Sequence, residues 1–163
     1  MKKLISLILI SVLLLSFSAC SEGTDITQNS SGSYISEEMK KIEADYKKLQ
    51  EYAGKANDVL FSATDLLNLW DSEDMDSATR EQKCKDVIYA KNNAVAQIEM
   101  YQWQTEYYES DKAIIGVALD MTESNINELK TLASAPNETK FGEIKNNVAS
   151  VKEQLDDVMD RLK

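Results

Sequence analysis

Eleven apolar residues recur at alternating spacings of four and three: Ile35, Met39, Ile42, Tyr46, Leu49, Ala53, Ala56, Leu60, Ala63, Leu67 and Trp70. That heptad rhythm keeps one face of a helix turned toward neighbouring helices at a shallow angle. It commits this part of the chain to helices packed side by side. A seam of this length needs roughly 50 Å of helix at about 1.5 Å per residue. Ser36, followed by Glu37 and Glu38, reads as its N-cap with acids in the first turn. The acidic run from Asp71 to Asp76 ends it.

Ser77, with Asp76 before it, can cap a second helix. Its seam runs through Cys84, Val87, Ala94, Ile98, Tyr101 and Tyr108, widened by Ile88 and Val95, while Lys91 and Thr105 occupy seam positions. Ile115, Leu119, Ile126, Leu129 and Ala133 continue in the same phase. Either the chain turns near Glu109-Ser110-Asp111, or one helix continues to Ser134; an unbroken helix of that length is unusual in a small domain, which favours the turn. Pro136, the only proline, stops this segment, and Asn137 can cap the last helix. Phe141, Ile144, Val148, Val151, Leu155, Val158 and Leu162 form its seam, with Glu143, Lys145, Lys152, Glu153 and Asp157 lying off it. No stretch reads as a strand. The expected fold is all-α, an antiparallel bundle of four helices over residues 34–163.

Ahead of the bundle, Lys2 and Lys3 precede an apolar run from Leu4 to Leu15, and Ser16-Phe17-Ser18-Ala19 lead into Cys20. The order is that of a secretory signal over residues 1–19, and the run is short of the roughly 20 residues that span a bilayer. It resembles the bacterial prolipoprotein signal, in which a small residue precedes an invariant Cys. Ser18-Ala19-Cys20 matches, with Phe17 where that class usually has Leu. The resemblance implies cleavage before Cys20, a diacylglycerol thioether on its sulfur, and attachment outside the cytoplasmic membrane. The membrane would be the plasma membrane's outer leaflet, or the outer membrane of a two-membrane bacterium, with which Ser21 is compatible. Two acyl chains, at about 0.8 kcal/mol per buried CH₂, make a stable anchor. Residues 20–33 read as a lipidated Cys and a polar linker, a flexible tether reaching roughly 20 Å.

Charge and missing residue types narrow the function. The chain has 18 Lys and Arg against 28 Asp and Glu, a net −10 that becomes −12 once Lys2 and Lys3 leave with the signal. Such acidity repels nucleic acid and anionic headgroups, so membrane attachment falls to the lipid. With no histidine, the Ser-His-Asp and Cys-His pairs, the Glu-x-x-His di-iron motif and most catalytic zinc sites are closed. The five glycines are scattered and form no phosphate loop. A carboxylate-dependent enzyme is the formal remainder, and nothing marks a pair for it. The expectation is a protein without enzymatic activity, cofactor or metal. Asp71, Glu73, Asp74 and Asp76 crowd one turn, yet an EF-hand loop starting at Asp71 needs Gly where Asp76 stands and Glu where Gln82 stands. They read as a solvated turn that favours the next helix N-terminus.

With Cys20 lipidated, Cys84 has no partner within the chain; it reads as a small buried hydrophobe, with an intermolecular disulfide as the alternative. Tyr101 and Tyr108 read as core. Trp103 and Tyr107, four apart on a helix, are candidate partner-binding residues, with core packing as the competing account. Together these features describe a lipid-anchored binding or accessory module at the bacterial cell envelope, with an envelope or extracellular protein as partner. A self-associating structural spacer is the alternative, because exposed heptad faces can be completed by another copy.

Overall fold

The computed structural model describes residues 31–72 and 75–163, with side chains placed from Ser36 onward. The signal segment, Cys20 and the linker up to residue 30 lie outside the described residues. Four helices follow one another: α1 (Ser31–Leu69), α2 (Ser77–Glu99), α3 (Glu109–Leu132) and α4 (Glu138–Arg161). Ser36–Lys163 form one compact unit. The described residues contain no strand, and none of the helices is long and apolar enough to cross a membrane.

Side-chain contacts between helix ends fix the antiparallel order. At one end, the Tyr46 hydroxyl and the Gln50 amide on α1 each donate to the Leu162 carbonyl just beyond α4, both at 2.8 Å. There too, Arg161 pairs with Asp111 on α3 at 2.7 Å. At the other end, the Trp70 ring stacks on Phe141 of α4 with centroids 6.3 Å apart, and the Arg80 guanidinium of α2 lies 5.3 Å from the Trp70 centroid. Lys140 reaches Glu128 across the α3–α4 turn at 3.2 Å. The helices therefore run alternately up and down, each against the next, and α4 returns to α1.

The seams form the core. On α4, Ile144, Val148, Val151, Leu155, Val158 and Leu162 are all buried, with Phe141 half-buried at the end. On α1 the seam is buried from Leu49 to Trp70, and Tyr52, Val59 and Leu66 are buried beside it. A helix with neighbours on two sides needs this wider face; a two-residue seam per heptad serves only a coiled coil. Asn137 caps α4, its side chain accepting from the Lys140 amide at 3.0 Å.

Four expectations are corrected. α1 begins at Ser31, so Ser36 lies inside the helix and does not cap it, and residues 31–33 are helical where a linker was expected. With no Pro before Ser36, adding a turn to an established helix is far easier than starting a new one. Met39 is 62% exposed, because α1 projects past the level where α4 ends and no other described helix reaches there to cover it. The cap of α2 is Asp76, one residue earlier than Ser77, and it accepts from the Thr79 amide at 2.7 Å. The break between α2 and α3 is present but earlier and longer than a turn at Glu109-Ser110-Asp111: residues 100–108 are irregular, and Glu109 already starts α3.

Candidate functional site

Nothing in residues 100–108 breaks a helix by composition, since the segment Met-Tyr-Gln-Trp-Gln-Thr-Glu-Tyr-Tyr has neither Gly nor Pro. What holds it out of the helix is a carboxylate from another element. Asp45, on α1, is completely buried. Its two oxygens accept from the Tyr101 hydroxyl at 2.9 Å, the Gln104 amide at 3.1 Å, the Thr105 amide at 2.8 Å and the Thr105 hydroxyl at 2.9 Å. Among the described residues no lysine or arginine pairs with it. The loop's own donors compensate a buried negative charge, the pattern in which a carboxylate keeps its charge through hydrogen bonds alone. Burial works to raise its pKa, but the hydrogen bonds from Gln104, Thr105 and Tyr101 outweigh it and hold the carboxyl below its ordinary value. The cover is one loop thick, so solvent lies close behind it and the cost of burial is smaller than in a deep core.

Held in this way, the loop presents a cluster of aromatic rings. Trp103 meets Tyr101 edge to face, with centroids 5.1 Å apart, and the Lys112 ammonium of α3 stands 5.1 Å from the Trp103 centroid. Tyr108 packs against Tyr46 at 5.8 Å and takes the edge of Tyr107 at 4.9 Å. Tyr107 is 69% exposed and Met100 81%. Trp103 and Tyr107 thus lie in a loop and on different rings, so the shared helix face expected for them does not exist. Tyr101 and Tyr108 are half-buried loop residues and not members of a helical seam. Thr105 is a hydrogen-bond donor in the clamp. Lys91, the other polar seam residue, is buried on α2 and bridges to Asp120 at 2.9 Å and Glu123 at 2.7 Å on α3. Those carboxylates more than offset its burial and raise its pKa.

Asp45 escaped sequence reasoning although its position held a signal. It falls three after Ile42 and four before Leu49, inside the apolar face, where an acid demands dedicated partners.

Cys84 is fully buried and free, and burial pushes its thiol up to about 11. Of the acidic turn, Glu73 and Asp74 lie outside the described residues. Among the described residues no three Asp, Glu or Cys side chains gather closely enough to hold a metal ion. Set beside known proteins, the chain matches no family model, no curated protein and no solved structure.

Proposed function

We propose that this is a lipid-anchored, non-enzymatic binding module of the bacterial cell envelope, attached through a diacylglycerol on Cys20, and that the loop at residues 100–108 is its recognition surface. The observation that carries the reading is the Asp45 clamp. A carboxylate withdrawn from water to hold four donors of one loop preorganises that loop, and preorganisation lowers the ordering cost of binding. The rings it holds are of the kind that dominate interface energetics, large apolar bodies with a polar tip. Function placed on a loop over a rigid helical scaffold is a common arrangement. The absence of histidine from the chain supports binding over catalysis. The net negative charge favours a partner with a basic surface, chiefly through its rate of encounter.

Crosslinking on intact cells, with wild type and the double variant Trp103→Ala and Tyr107→Ala at matched abundance, tests the loop directly. The reading expects a distinct envelope protein captured by wild type and diminished with the variant while its melting temperature stays within a few degrees. Undiminished capture would move the recognition surface elsewhere. Recovery of copies of this chain alone would favour the spacer reading, for which Phe61, 67% exposed on α1, and Leu69, 46% exposed, are the supporting observation.

A further inference from the structure

Beside the loop, α2 and α3 part around a cleft of about 490 Å³ that reaches in to Tyr52 of α1. Tyr52 is only 3% exposed, and among the described residues its hydroxyl makes no hydrogen bond. The ring is buried, but the hydroxyl oxygen is not sealed off and opens to the cleft. Here the hydroxyl faces Gly116 of α3: a Cβ added at Gly116 would stand 3.9 Å from the Tyr52 oxygen, with nothing nearer. An alanine would therefore fit there, and it would favour the helix more than glycine does. Packing gives no reason for Gly116; its effect is to leave the way to the Tyr52 hydroxyl open.

The charges around this opening select a sign. Lys91 is engaged by two carboxylates, which leaves it little capacity for an anion. Glu99 and Asp120 stand on the lining, and the Asp120 side chain, 73% exposed, bridges to Lys91 through one oxygen and keeps the other for a guest. The cleft also already seats one cation on an aromatic face, the Lys112 ammonium over Trp103. Lys112's own carboxylate partner, Glu109, is a distant 3.8 Å away, so the ammonium can be displaced.

We propose that the cleft binds an organic cation, an ammonium or guanidinium on a short apolar stem. The cationic N–H groups donate to the Tyr52 oxygen and to the Glu99 and Asp120 carboxylates, and the stem lies against Tyr101 and Trp103. This rests on the binding-module reading and names the ligand chemistry for it. Two sources share that chemistry: a free amine, and a Lys or Arg side chain of a partner polypeptide.

The test uses the full chain in neutral detergent carrying Trp70→Phe, which leaves Trp103 as the single tryptophan. Its fluorescence is followed against agmatine, an Ala-Arg-Ala amide and the neutral isostere Ala-citrulline-Ala amide. The expected result is a saturable change with a cation and at least about tenfold weaker response to the neutral peptide. Tyr52→Phe weakens binding several-fold, Gly116→Leu removes it, and Lys112→Gln tightens it. Preference for agmatine assigns a free amine, and preference for the arginine peptide assigns a polypeptide side chain. Should Gly116→Leu unfold the bundle, Gly116→Ala, which fits the space, still weakens binding. Equal response to the neutral peptide, or full binding by folded Gly116→Leu, overturns the inference. So does a partner captured through the loop with no response to any cation, an outcome that leaves the binding-module reading standing.

Discussion

Asp45→Asn probes the clamp with almost no change of shape. The carboxylate satisfies four donors, the Tyr101 and Thr105 hydroxyls and the Gln104 and Thr105 amides. At about 1 kcal/mol net for each hydrogen bond, the full set amounts to about 4 kcal/mol. An asparagine keeps one acceptor oxygen and turns an NH₂ toward the remaining donors, so roughly half the set is lost and an N–H faces an N–H. The expected destabilisation is about 2 to 3 kcal/mol, a large share of a total stability of about 5 to 15 kcal/mol. Denaturant unfolding followed by circular dichroism measures it. Hydrogen exchange locates it, with the Gln104 and Thr105 amides losing protection before those of the helices. The pH dependence follows with its sign. Because the folded carboxyl titrates below its ordinary 3.8, its stabilisation is present above that value and is lost as pH falls through the folded pKa. The gap between wild type and Asp45→Asn should therefore hold from neutral pH to about pH 4 and narrow below. A variant less than about 1 kcal/mol weaker, with both loop amides still protected, would refute the reasoning.

Three further outcomes are expected. Cys84, buried and with its thiol raised to about 11, should resist a thiol reagent at pH 8 in the native protein and react fully in denaturant; rapid native labelling would contradict its placement. Lys91→Met should change stability by no more than about 1 kcal/mol, since it keeps the packing of the stem and the carboxylates left behind, Asp120 mostly exposed and Glu123 partly so, are reached by water, whereas Lys91→Ala should cost about 2 kcal/mol or more through lost packing; chemical denaturation compares them. Tyr46→Phe removes the hydrogen bond to the Leu162 carbonyl and should cost about 1 kcal/mol, with faster hydrogen exchange confined to the last turn of α4.

The seams made the helices legible. Period and apolar content fix a helical face whatever it packs against, which is why the α4 seam from Ile144 to Leu162 and the stop at Pro136 with the cap at Asn137 were readable from residues alone. The loop was not. Tyr101, Thr105 and Tyr108 keep the heptad phase, and only a carboxylate more than fifty residues away draws them out of it. Local pattern carries no account of such a contact. Trp103 and Tyr107 stand out by residue type, but the shared face that their spacing predicts requires a helix that the Asp45 clamp forbids. Lys91 shows the same limit in milder form. Its seam position was plain, while the carboxylates that make its burial tolerable sit on the next helix.

The proposed function starts from a lipidated Cys20, and the chemical state of that residue is the most direct measurement. Mass spectrometry of the protein purified from membranes of its source, or of an expressing bacterium, should find Cys20 as the first residue, bearing a diacylglycerol, with Cys20→Ala released from the membrane fraction. A mature chain that keeps Met1, or an unmodified Cys20 in a protein recovered free of membranes, would contradict the account.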